Sequence, residues 1–349
     1  MSADLTYDKD GSKESVNSAA IEHWDLDKRK ISGYAIDGKD SYGITIEGTA
    51  SLGDISNVTN LKVNDKAKVG DVEDAKDVTV DGGSVGSITE DSDNMVTSVT
   101  VTDGRVSGID VSGNVDVLGG SVSGDVTGDT VNLNVQDDDI NTSITGAVKG
   151  KTINVEADSE DATISVGKLV ADGAAEIKLN GGKNVKIGTI DGDYEGNVTF
   201  DDFQGTIDAM TNVDTISATE DANVKVNGDV DATSLSIDEN GVVEFTGAVT
   251  LEELSGDGKL IVPVAKLLVT DGVSGNVILR LAGNNVSVGD EAYRTGKDVT
   301  DVNGVVGDGY KMEKKTENKQ DIYLVKSTSF AGLALDKSEV TIAKGFSNT

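Results

Sequence analysis

The 349-residue chain contains no cysteine, one proline (Pro263) and one histidine (His23). Without cysteine there is no disulfide framework, no thiolate zinc site and no cysteine nucleophile. One histidine excludes any site that needs two, and Ser-His-Asp chemistry would rest on His23 alone. A single proline beside 42 glycines excludes collagen and proline-rich linkers. Aromatic residues make up 4% of the chain and hydrophobic residues 36%. Basic residues are also scarce: 30 Lys and Arg stand against 62 Asp and Glu, a formal charge of −32. Such a field repels phosphate backbones and anionic lipid, so nucleic acid is excluded as a partner. The longest apolar stretch, residues 260–269, holds Pro263 and Lys266 and is too short to span a bilayer, so no membrane insertion is expected. The first residues show no basic start followed by an apolar run, so no signal peptide is expected either.

Low hydrophobicity with high charge is also the composition of disorder. The distribution of the apolar residues argues otherwise. They are mostly Val and Ile in alternating patterns, and a two-part unit recurs from about residue 57 to 283. Its first part is a strand such as Leu61-Lys62-Val63, Val78-Thr79-Val80, Val99-Thr100-Val101, Val115-Asp116-Val117 or Ile153-Asn154-Val155. Its second part has apolar residues flanking a glycine, as in Val69-Gly70-Asp71-Val72, Val85-Gly86-Ser87-Ile88 and Val226-Asn227-Gly228-Asp229-Val230. Successive motif glycines lie 16 to 23 residues apart, within the period of solenoids. Strands that turn alternate residues inward would fill a thin core with Val and Ile, which suits the low aromatic content.

Variable coil length favours a right-handed parallel β-helix of about 10–12 coils over left-handed hexapeptide helices or calcium-binding nonapeptide repeats. At about 4.8 Å per coil this is a rod on the order of 50–60 Å. Tandem β-sandwiches are the competing all-β architecture. The expected organisation is an N-terminal cap over residues 1–50, a solenoid over 51–290, capping strands over 291–328, and a linker with a further strand over 329–349. Residues 11–24 read as a short amphipathic helix with Ser12 at its N-cap. Trp24, Tyr34 and Tyr42 at one end, and Tyr293, Tyr310 and Tyr323 at the other, are expected to close the core. Residues 311–319, rich in Lys, read as a solvated turn between two closing strands.

Catalytic chemistry is sparse. Right-handed β-helices include polysaccharide lyases and hydrolases, which use acidic calcium ligands with a Lys or Arg base, or close carboxylates. The acidic candidates are Asp137-Asp138-Asp139, Asp201-Asp202 and Asp191, Asp193 and Glu195; the arginines are Arg29, Arg105, Arg280 and Arg294. The His-Gly pair and Arg-Ile-Lys motif of the polygalacturonase-like family are absent. Neighbouring aspartates on a strand point to opposite faces, so Asp201 and Asp202 would not cooperate without a bulge. The chain is therefore expected not to be an enzyme. Calcium is the more plausible ligand, since hard cations take oxygen donors. Asp8-Lys9-Asp10-Gly11 resembles part of an EF-hand loop, though Asn17 replaces its bidentate glutamate. Asp8, Asp10 and Asp137, Asp138 and Asp139 are the candidate metal ligands, with no other cofactor expected. Residues after the motif glycines, such as Asp71, Ser87, Asp125, Ala147 and Asp229, form a mixed small or polar set that reads as structural.

The C-terminal run Leu333-Ala334-Leu335-Asp336-Lys337-Ser338-Glu339-Val340-Thr341-Ile342, followed by Gly345, resembles the opening strand and turn of group 2 bacterial Ig-like domains. The resemblance covers about 17 residues. It implies an exported protein on a bacterial cell surface, of which this chain is an excised piece. High negative charge, absent cysteine and repeat architecture likewise resemble surface-layer proteins and large adhesins. The expected function is a non-catalytic extracellular structural domain, a spacer or lattice component of a surface layer or cell wall. Its partners would be other copies of the surface protein, or cell-wall or host glycans. The alternatives are an adhesin or glycan-binding module, which needs an exposed aromatic or polar groove, and a polysaccharide-degrading enzyme.

Overall fold

The computed structural model describes residues 43–282, apart from 92–94, 136–139, 158–161, 183, 264 and 276, together with flanking strands. These strands are Asp4–Lys9, Ser12–Asn17, Ile36–Asp37, Glu291–Thr295, Tyr310–Glu317, Gln320–Ser327 and Thr341–Ile342. The described residues contain strands and turns but no α-helix. The strands pair mainly in parallel, as a β-solenoid of about 12 turns. The chain divides into two compact units, residues 1–170 and 171–349.

In the first unit the expected repeat strands stack in register. Ile44 lies beside Leu61, then Val78, Val99, Val115, Val131 and Ile153. A second file on the same strands runs from Ile46 through Val63, Val80, Val101, Val117 and Leu133 to Val155. The cause is the period-2 alternation. In Asn60–Asn64 and Asn114–Val117 the Val and Leu positions are buried while the polar residues between them face outward. The two halves of the glycine motif enter two further columns. Val69, Val85, Val106, Val122 and Ile144 form one. Ile55, Val72, Ile88, Ile109, Val126 and Val148 form the other. The motif glycine turns the chain between them. A two-sandwich architecture would pair its strands antiparallel, so the parallel ladders decide for the solenoid.

The second unit repeats this plan. Val198, Ile216, Leu235, Leu254 and Val273 form one column, and Ile187, Ile207, Val226 and Phe245 another. Here three phenylalanines, Phe200, Phe203 and Phe245, are fully buried, more aromatic bulk than the narrow interior was expected to take. Local compensation makes room. Phe200 lies in register with Ala218. Its ring stacks on Phe203 at a centroid distance of 5.7 Å, and Phe203 covers Gly205, where a Cβ would fall 2.3 Å from the ring.

The N-terminal segment departs from expectation. Ser12–Asn17 is not helical but a strand, paired antiparallel with Asp4–Lys9 from Lys9↔Ser12 to Asp4↔Asn17. The sequence signal is Asp10-Gly11 between them, a strong hairpin dipeptide that outweighs a weak helical pattern of only a few apolar residues. Residues 18–24, with the remainder of the expected helix, and Trp24, Tyr34 and Tyr42 lie outside the described residues.

At the other end, Glu291–Thr295 continues the parallel stack on Leu268 and Val269. It then pairs antiparallel with Gln320–Ser327, which forms a hairpin with Tyr310–Glu317. Residues 311–317 of the Lys-rich segment are thus part of a closing strand rather than a turn, and the side chains of 313–317 are all exposed. Ile322 and Tyr323 of the partner strand are buried. Thr341–Ile342 pairs antiparallel with Leu279 and Arg280.

The closing hairpin is tied by Lys314 Nζ, 2.5 Å from Asp321 Oδ2, and by Thr316 Oγ1, which donates to Asp321 Oδ1 at 2.8 Å. Both contacts favour the ionised carboxyl, so Asp321 sits below its ordinary value of 3.8. Its contribution is therefore present above that value and fades as pH falls through the lower, folded one. Amide exchange across the hairpin is expected to accelerate below about pH 4 in the native chain and to lose this step in Asp321→Asn.

Two substitutions test the core. Val117→Asp places an unpaired charge in a fully buried column and is expected to lower stability by several kcal/mol in denaturant melts, roughly 3 or more. Thr142 is 1% exposed, and its Oγ1 has no hydrogen-bond partner among the described residues. Thr142→Val keeps the shape and removes that desolvated hydroxyl, so it is expected to raise stability by about 1 kcal/mol.

Candidate functional site

The corner between the two halves of the glycine motif carries the first feature that composition alone does not explain. The aspartate after the glycine reaches to the next coil. Asp54 Oδ1 accepts from the Asp71 amide at 2.9 Å, and Asp71 Oδ1 accepts from the Ser87 amide at 2.7 Å. Asp125 and Asp229 repeat the contact with the amides of Ala147 and Ala248, at 2.8 and 2.7 Å. At these corners the chain turns between two columns, and the carboxylate takes the place of a carbonyl acceptor from the coil before. The glycine one coil later is the steric counterpart. A Cβ on Gly86 would lie 2.3 Å from Asp71 Oδ1 and 2.8 Å from Gly70 O.

Other acidic residues serve the same end. Glu90 receives the amides of Val96 and Ser112 at 2.7 and 2.8 Å. Asp116, Asn132 and Asn154 form a side-chain ladder, with Asn132 Nδ2 donating to Asp116 at 2.7 Å and Asn154 Nδ2 to Asn132 at 2.8 Å.

Two grooves open beside these coils. In the first unit, a groove of about 850 Å³ is lined by Glu47, Asp65, Asp81 and Asp103 with Lys66 and Arg105. Asp65 Oδ2 there accepts from the Gly48 amide at 3.1 Å. In the second unit, a groove of about 320 Å³ lies against Tyr194, with Asp231 and Glu252 on its walls. Tyr194 is 75% exposed.

The expected site residues fall as follows. Asp8 lies in the first strand, opposite Lys13; Asp10, Asp137, Asp138 and Asp139 lie outside the described residues. Among the described residues no three His, Cys, Asp or Glu side chains converge as metal ligands. Asp201 Oδ1 accepts from Thr219 Oγ1 at 2.8 Å. Asp202 has left the strand with φ +50°, so the two aspartates do not form a pair on one face. Asp191 accepts from Asn212 Nδ2 at 3.0 Å, while Asp193 and Glu195 flank Tyr194 on an exposed bulge. Sequence reading singled out those two acids and passed over the tyrosine between them. The available signal was length: seven residues lie between Ile190 and Val198, where four lie between Val148 and Ile153.

Comparison with protein-family models, curated proteins and solved structures finds no match to this chain.

The corner contacts set an expectation. Asp71→Ala removes the acceptor of the Ser87 amide, an exposed contact, and is expected to cost about 0.5–1 kcal/mol, with Asp71→Asn costing less. Gly86→Ala is expected to cost at least about 2 kcal/mol, and less in the Asp71→Ala background, because the clash with the Asp71 carboxylate is then gone. Chemical denaturation of the parent chain, the two single variants and the double variant gives the coupling.

Proposed function

We propose that the chain is a non-catalytic structural module of a bacterial surface protein, a spacer or lattice component held outside the cell. The observation that carries this reading is the Asp54–Asp71–Ser87 relay and its repeats. They turn acidic composition into coupling between one coil and the next. Each coil buries its aliphatic face against its neighbours, so within each unit the stack couples one coil mechanically to the next. The remaining carboxylates give an anionic exterior that keeps such a surface soluble. The Ig-like resemblance of the C-terminal run is consistent with a place in a larger exported chain. Other copies of the surface protein, or cell-wall glycans, are the partners such a module would meet.

Intact cells producing the parent protein test this reading. A membrane-impermeant amine reagent is expected to label the lysines of this region without lysis. Labelling that appears only after lysis would overturn the surface assignment.

A further inference from the structure

We propose that the Tyr194 groove is a binding site for a neutral pyranose-containing glycan. The inference concerns the isolated chain and does not depend on where the parent protein resides.

The groove exists because the ladder breaks. Asp191 pairs with Thr211 and Gly196 with Val213, so residues 192–195 bulge out opposite Asn212 alone. Three positions at this break, Asp193, Tyr194 and Asn212, have φ of +49°, +68° and +55°. Six of the nine non-glycine residues with positive φ in the described chain are Asn or Asp, which tolerate that region. Tyr194 is the bulky aromatic among them. Its backbone is strained and its ring is exposed, so neither local preference nor core packing accounts for a tyrosine there. Strain of this kind is held at sites of function.

The surface beside the ring matches the other half of sugar recognition. Val213, Ala232 and Leu251 stack in register as a buried apolar floor. Outward-facing Asp231 and Thr250 pair in neighbouring coils, and Thr233, Glu252 and Thr270 complete the polar wall. Neighbouring coils stand about 4.8 Å apart, and alternate residues of a strand about 6.7 Å. Carboxylates and hydroxyls thus repeat on the scale of one sugar ring. Carboxylates accept from vicinal hydroxyls, threonine hydroxyls donate or accept, and an exposed aromatic face packs on the C–H face of a pyranose. Asp231 and Glu252, within a chain of charge −32, disfavour uronates and sulfated sugars. The ligand class is therefore neutral.

Isothermal titration of the purified chain with cellohexaose, chitohexaose and mannohexaose, and with hexagalacturonate as the anionic control, tests the site. Saturable binding of at least one neutral hexasaccharide, with weaker or no binding of hexagalacturonate, is expected. Tyr194→Ala is expected to weaken binding at least about tenfold and Tyr194→Phe by no more than about threefold. Tyr194→Gly relieves the positive φ and is expected to raise the melting temperature while abolishing binding. Failure of all three neutral probes at millimolar concentration, tighter binding of the uronate, or unchanged affinity in a folded Tyr194→Ala protein would each overturn the proposal. None of these results bears on surface labelling of the parent.

Discussion

Parallel, in-register pairing between consecutive coils is the constraint from which the other features follow. Where the ladder is regular, a residue in one coil sits directly against its equivalent in the next, so each such position is repeated in space as a column. An aliphatic residue facing inward therefore has to be matched above and below, as Val115 is by Val99 and Val131. A polar residue facing outward is matched in the same way, as Asp116 is by Thr100 and Asn132. No coil holds a core of its own, because its apolar face is completed only by its neighbours.

Corners are where that constraint is hardest to meet. On a strand, each amide finds a carbonyl in the adjacent coil. Where the chain turns between columns the backbone geometry changes, and an amide there needs an acceptor from outside the regular ladder or from water. Asp after the motif glycine supplies the acceptor from its side chain, and the glycine above it leaves room for that side chain. The same stretch of sequence thus serves two coils at once. This accounts for part of the unusual acidity: carboxylates such as Asp54, Asp71, Asp125 and Asp229 are hydrogen-bond acceptors for backbone as well as charges in solvent.

The solenoid was legible because its columns are written as repeats. Val-x-Val strands and apolar–glycine–apolar corners recur at a coil's length, and most copies fall into the column their pattern implied; the copy at Gly205 does not, because Gly205 pairs with Val224 and Ile207 takes the place between Ile187 and Val226. The hairpin over Asp4–Asn17 was not read, because two short strands leave no column to repeat; its only local sign was Asp10-Gly11. Buried phenylalanines were unexpected for a related reason. Phe200 fits through its cross-coil partner Ala218, and Phe203 through Gly205, and such size pairing needs the register before it can be seen. The corner carboxylates were read as turn residues. Their acceptor role depends on which amide lies one coil away, which periodicity suggests but only the register fixes.

Tyr194 was missed for the opposite reason, since it belongs to no column. A repeat protein specifies its regular positions many times over and its irregular ones once. An insertion such as residues 192–195 is excused from matching a neighbour, so its side chains are free to be chosen for something other than stacking. That freedom comes with a strained backbone at Asp193 and Tyr194, which the surrounding regular coils hold in place. The rigid scaffold and the irregular loop are therefore complementary parts of one arrangement: the columns fix the spacing of Asp231, Thr250 and their neighbours, and the break in the ladder places an aromatic ring beside them.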